Sequence, residues 1–176
     1  MNLRIMEKDD IDFLVQVIND VDSDFAFLPV RQTSKAEALK KFENPTQIVA
    51  MCERQRFVIE KKDGTRIGII AHWLAQPEKF LAIGYDIVRT ERGKGYGTEA
   101  VQLMVDYLFL SKDVMRIQAL TDVRNKPSQC VLEKASFKRE GTLRKAGFVR
   151  GQWTDAYLYD VTREEWKEPK ILTKTA

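Results

Sequence analysis

The chain opens with Leu3 and Ile5, an apolar alternation that marks a short strand. From Asp10 to Asn19 the apolar residues Ile11, Leu14, Val15 and Ile18 recur at helical spacing, leaving an acidic opposite face. Ser34 followed by Glu37 fits a capping box and predicts a second helix through Ala38 and Leu39 to Phe42, ended by Pro45. The period then shortens. Arg56 to Glu60 and Arg66 to Trp73 read as strands joined by Asp63-Gly64, a dipeptide suited to a two-residue hairpin. A third strand, Phe80 to Val88, follows the break at Gln76-Pro77, so the three predict an antiparallel meander.

The second half alternates strand and helix. A glycine-rich turn, Arg92 to Gly97, leads into a helix whose apolar positions Val101, Met104, Val105 and Leu108 share one face. Met115 to Val123 reads as a strand, and Asn125 to Ala135 as a helix with Pro127 in its first turn. Strands are predicted near Phe137 to Arg144 and Trp153 to Val161, and Thr162 with Glu165 marks a last capped turn around Trp166. Together these predict a mixed α/β (α+β) sheet with helices on both faces. The strand–helix–strand from Phe80 to Val123 should be a right-handed crossover between parallel neighbours. Residues 1–166 read as a single domain, and 167–176 as a polar tail.

Composition narrows the function classes. The 176 residues are 44% hydrophobic and 31% charged, which suits a globular fold rather than a disordered chain. A net charge of +3 is too balanced to indicate a nucleic-acid binder by itself. No apolar run approaches the roughly 20 residues that span a bilayer, and the acidic start lacks a secretion segment. Two cysteines, Cys52 and Cys130, with one histidine, His72, make neither a disulfide framework nor a zinc site. The expectation is a reduced, cytoplasmic, metal-free domain, with Cys130 packed and given no nucleophilic role.

The turn after the third strand carries the chemistry. A helix amino terminus presents unpaired N–H groups and about half a unit of positive charge, which attracts phosphate. Gly93, Gly95 and Gly97 let the backbone approach a ligand, and Arg92 and Lys94 add mobile positive charge. A Walker loop is absent, and Thr98 stands where the Rossmann fingerprint needs its third glycine. What remains is Arg-x-x-Gly-x-Gly at Arg92, Gly95 and Gly97; the plainer reading is a tight turn joining strand to helix.

In context the sequence resembles the GNAT superfamily of N-acetyltransferases, in particular the branch containing ribosomal-protein-alanine and spermidine acetyltransferases. Ile83-Gly84-Tyr85, Arg92 to Ala100, Asn125 to Ser128, Phe137 to Gly141 and Gly151 to Asp155 recur in that family's order. The resemblance implies a sheet whose parallel strands, Phe80 to Val88 and Met115 to Val123, splay to admit the pantetheine arm of acetyl-CoA. It implies backbone contacts at Ile87 and Val88, and a pyrophosphate on the N–H groups of Arg92, Gly93, Lys94, Gly95, Tyr96, Gly97 and Thr98. Asn125 is implied to contact the coenzyme, besides capping its helix, and Ser128 to lie near the sulfur. No metal is implied.

Acetyl transfer to an amine needs a neutral nucleophile, an oxyanion donor and an acid for the departing thiolate. Many relatives place a tyrosine where Leu132 stands, so Ser128 becomes the candidate acid. A glutamate implied in the loop between the last strands aligns with Gly147, leaving Glu140 and Asp155 as nearby acids. Asp155 is a weak base candidate with a structural role favoured, and Glu140 reads as solvated. An α-amine is about a tenth neutral at pH 7, a lysine about once in 2,500. A site without a strong base therefore favours a peptide or protein α-amine, with polyamines and aminoglycosides as other cationic acceptors.

Asp20, Asp22 and Asp24 among Phe25, Phe27 and Leu28 suggest an acidic, aromatic mouth for such acceptors, or simply an anchored solvated loop. Trp153, Tyr157 and Tyr159 alternate along one strand and belong to the core or to a homodimer surface. Two other readings remain: a CoA-binding sensor that has lost catalysis, and an RNA-binding module using Lys138, Arg139, Arg144, Lys145 and Arg150.

Overall fold

The computed structural model describes residues 1–20, 27, 32–43, 54–75 and 80–169. Its elements are β1 (Asn2–Ile5), α1 (Ile11–Asn19), α2 (Lys35–Glu43), β2 (Gln55–Glu60), β3 (Arg66–Ala75) and β4 (Phe80–Ile87). They continue as α3 (Tyr96–Ser111), β5 (Arg116–Asp122), α4 (Lys126–Lys134), β6 (Lys138–Val149) and β7 (Gln152–Thr162). Pro45, Cys52, Gln76-Pro77, Asp22, Asp24, Phe25 and Leu28 lie outside the described residues, as does the tail beyond Pro169.

The strands form one sheet in the order β1-β2-β3-β4-β5-β7-β6. All neighbours are antiparallel except β4 and β5, which run parallel. The main core lies where α3 and α4 cover one face, around Ile70, Ile83, Met104, Leu108, Ile117 and Leu132. A smaller cluster, Met6, Ile11, Leu14, Ala38 and Val58, seats α1 and α2 on the other. Asp63-Gly64 makes the expected hairpin, with Gly64 at φ 82°, and Ser34 Oγ accepts the Glu37 N–H at 3.1 Å as the capping signal requires.

The main departure is β6, which runs five residues past Arg144. Register shifts between Arg139 and Gly141 and between Leu143 and Gly147 break its alternation, so a period of two is lost there. Lys145 sits in the second bulge at φ 53°. Gly147, expected in the connecting loop, is inside the strand opposite Thr154, and the hairpin turns instead at Arg150-Gly151.

Candidate active site

β4 and β5 pair only through Phe80↔Arg116, Leu81↔Ile117 and Ala82↔Gln118. Beyond these rungs they part, so backbone groups that a continuous sheet would consume face a gap. Antiparallel pairing fixes which groups of β4 do so. The Val88 N–H donates to Ile67 O at 2.9 Å, and Val88 O accepts from Glu91 N–H at 2.9 Å. Ile87, one residue earlier, turns its N–H away from β3 and toward the gap.

At the end of β4 the glycine turn enters α3. Gly93 (φ 74°) and Gly95 (φ 87°) hold left-handed backbone that side-chain-bearing residues adopt at a cost. The first helical bond is Glu99 N–H to Gly95 O at 3.1 Å, so Tyr96, Gly97 and Thr98 have no intrahelical acceptor for their N–H groups. The cations, expected from sequence to be mobile, are tethered to the protein's own groups, Arg92 folded back onto β4 and the exposed Lys94 held by an ion pair. Arg92 Nε donates to Ile87 O at 2.8 Å, and its Nη2 lies 3.5 Å from Asp86. Lys94 pairs with Glu91 at 3.2 Å, and Glu91 also holds Lys61 at 2.8 Å. An anion here meets backbone dipoles first.

Across the gap, Asn125 caps α4: its Oδ1 accepts the Ser128 N–H at 3.1 Å. Arg124 forks onto Asp122 through Nε and Nη2, both at 2.8 Å, and these bonds hold the Asp122 carboxyl below its usual range. This fixes the β5–α4 corner and with it Ser128. The Ser128 hydroxyl is half-buried and meets the Tyr85 hydroxyl, which reaches over from β4. Burial pushes the Tyr85 hydroxyl up to about 12, so it stays protonated. Leu132, one turn after Ser128, is buried in the core and offers no proton. The hydroxyl absent from α4 therefore arrives from the facing strand, a relationship that no spacing along the chain reveals.

Alternation places Tyr85 toward α4 and Asp86 on the opposite face, level with Ile69 of β3. Burial pushes the Asp86 carboxyl up to about 6, Arg92 opposing that rise and Asp20 adding to it. Asp86 lines both a cleft of about 990 Å³ and a smaller hollow of about 170 Å³ at Arg89 to Arg92. The large cleft also reaches Tyr85, Asn125 and Ser128, so the acid and hydroxyl groups share one space. Sequence reading missed Tyr85 and Asp86 as chemical groups.

The other candidates are placed differently. Asp155 Oδ1 accepts the Lys145 N–H at 2.9 Å and its carbonyl accepts the Val123 N–H at 3.2 Å, which ties it to the β6 bulge. Glu140 is exposed. Cys130 is an exposed free thiol rather than a packed one. Of the basic residues that suggested RNA, Lys138 is paired to Glu165 and Arg139 lies over the Tyr157 ring at 4.6 Å. Among the described residues no cluster of three or more His, Cys, Asp or Glu is arranged to hold a metal, and no helix is long and apolar enough to cross a membrane.

Comparison with known proteins converges on one family. The family model for the acetyltransferase (GNAT) domain matches residues 1–138. An uncharacterised N-acetyltransferase, p20, of Bacillus licheniformis is 31% identical over 169 residues, 94% of each chain. The alanine N-acetyltransferase of ribosomal protein uS5 from Escherichia coli is 31% identical over 84 residues, 48% of this chain and 43% of its own. In fold, spermidine N-acetyltransferase from Vibrio cholerae, solved with CoA and spermine, superposes with a TM-score of 0.81 at 20% identity, covering 95% of this chain and 98% of its own. The chain belongs to the GNAT family of acetyltransferases, and acetyl-CoA is its co-substrate.

Proposed function

We propose that this protein transfers the acetyl group of acetyl-CoA to a primary amine, preferably an α-amine, by direct attack in a ternary complex. The observation that carries the reading is the gap between β4 and β5, with Asp86 on one face of the sheet and the Tyr85–Ser128 hydroxyls on the other. The open N–H groups of Tyr96, Gly97 and Thr98 receive the diphosphate, and the Ile87 N–H meets the pantetheine amides.

The acceptor ammonium gives one proton to the Asp86 carboxylate, directly or through one water, and Asp86 passes it to solvent. The neutral nitrogen then forms its bond to the acetyl carbon and gives its second proton to Asp86. The carbon–sulfur bond breaks, the thiolate takes a proton from Ser128, Ser128 takes the Tyr85 proton, and Tyr85 regains one from solvent water in the cleft. Proton transfer from an α-ammonium near 8 to a carboxyl at about 6 costs about 3 kcal/mol, against about 6 from a lysine near 10.4. Asp86 thus serves a weakly basic acceptor. The exposed, reduced Cys130 suits a cytoplasmic setting.

The test is thiol release from acetyl-CoA across peptide amino termini, polyamines and aminoglycosides, with Ser128→Ala as control. Turnover of a peptide α-amine that falls in the variant supports the reading. Tight CoA binding without release on any amine would make the protein a sensor.

A further inference from the structure

The cleft on the α1–α2 face has a floor set by strand register. Arg56, Ala71 and Gly84 lie side by side across β2, β3 and β4, and Val58, Ile69 and Asp86 form the adjacent same-face row. Arg56 and Asp86 both line the cleft, with the small Ala71 and with Gly84, overlaid by Trp73, between them. Two strand spacings across and one same-face step along separate their Cα atoms by about 12 Å. The arginine side chain spans about half of that. Trp73 bounds the space on one side: a Cβ added to Gly84 would come within 3.2 Å of its ring, whose face is covered by Arg54 at 4.1 Å.

Arg56 differs from the other inward-facing cations. Arg4 is held by Asp10 and Glu60, Arg116 by Asp160, and Arg163 by three backbone carbonyls. Among the described residues the half-buried Arg56 guanidinium has no hydrogen-bond or ion-pair partner, and burial alone acts on it, lowering its pKa. A guanidinium withdrawn from water without an anion is costly unless a ligand supplies one.

Resting on the acetyltransferase reading above, we propose that the acceptor is dipolar: its amine meets Asp86 while a carboxylate on the same small molecule pairs with Arg56. The fork of Arg56 matches a carboxylate in a plane, and Ala71 leaves room for a short carbon skeleton between the two charges, beside the Trp73 ring that leans over Gly84. The same arrangement selects against acceptors bearing only positive charge, because a second ammonium reaching past Asp86 would meet the guanidinium. Free amino acids share this chemistry with peptides whose first residue is acidic.

The experiment measures thiol release by the full chain on matched pairs: amino acids against their carboxamides, and Asp-leading peptides against Asn-leading ones, with spermidine alongside. At least one carboxylate-bearing member should exceed its amide partner tenfold or more in kcat/KM, the scale of one charge-assisted hydrogen bond. Arg56→Gln should bring that ratio close to one, and Arg56→Lys should retain part of it. Amides or spermidine matching the carboxylates, a ratio unchanged in Arg56→Gln, or no turnover of any carboxylate-bearing acceptor would each overturn the proposal. Calorimetry with acetyl-CoA separates the two levels. Absence of binding sinks the acetyltransferase reading itself, whereas binding with turnover confined to amides and polyamines sinks only the dipolar acceptor.

Discussion

The hydroxyls of Tyr85 and Ser128 lie 3.0 Å apart, joining β4 to α4 across the mouth of the gap between β4 and β5. A second bond from the Tyr85 hydroxyl to the Ser128 carbonyl, at 3.3 Å, keeps the phenol in place. If the pair hands a proton to the thiolate as a unit, its members are not independent. Ser128→Ala and Tyr85→Phe should each lower kcat about ten- to a hundredfold with a smaller change in KM, and the double variant should be little worse than either. Steady-state kinetics on the four proteins decide it; effects that multiply would mean separate roles.

As the proposed base, Asp86 should link activity to pH. The kcat/KM profile should rise through about pH 6 as the carboxyl ionises, and Asp86→Asn should lose that limb. Stability should move the opposite way. The folded carboxyl holds its proton up to about 6, whereas the unfolded chain releases it near the ordinary 3.8, so stability falls as pH rises between those values. The shift corresponds to about 3 kcal/mol. Asp86→Asn should therefore unfold at higher denaturant than the parent at pH 8 and at similar denaturant near pH 3.

On the proposed reading, in which the glycine turn holds the coenzyme, Gly95 and Lys94 separate backbone from charge. A Cβ at Gly95 meets nothing within 4 Å, so Gly95→Ala acts through its φ of 87° alone. The left-handed strain is about 1–2 kcal/mol, enough to weaken acetyl-CoA binding about fivefold or more in calorimetry if the turn relaxes. Lys94→Ala should change affinity less than twofold, because Lys94 already pairs with Glu91.

Asp155 should prove to be a fold residue. Removing the carboxylate that accepts the exposed Lys145 N–H leaves that donor to water and loosens the β6 bulge, at about 1 kcal/mol. Asp155→Ala should lower the melting temperature while kcat and its pH profile stay near the parent's. A lost basic limb in the profile would return Asp155 to the chemistry.

Local signals made most of the framework legible. Asp63-Gly64, the Ser34 cap and the apolar stripe of α3 each act within a few residues, and each appears where the pattern places it. β6 runs past its predicted end at Arg144 because bulges at Gly141 and Gly147 reset its alternation, an effect that depends on the partner strand. The site shows the same limit. Gly95 and Asn125 announce themselves through turn and cap chemistry, which is local. Tyr85, Asp86 and Arg56 gain meaning only from what the register sets beside them: α4 for the first, α1 and Arg92 for the second, an Ala–Gly floor for the third.

The early parting of β4 and β5 has an energetic side. Two strands in the middle of a sheet are left as inner edges beyond three rungs, and the Ile87 carbonyl there meets the Arg92 guanidinium instead of a neighbouring strand. On the proposed reading a thioester arm lying along β4 would supply the rung that β5 does not, making the co-substrate part of the architecture while it is consumed by the chemistry. Ala82 and Gln118 hold the last rung before the seam, so on that reading binding and release of the thioester arm would close and reopen it there. Amide hydrogens along that seam should be the ones whose exchange slows most when acetyl-CoA binds.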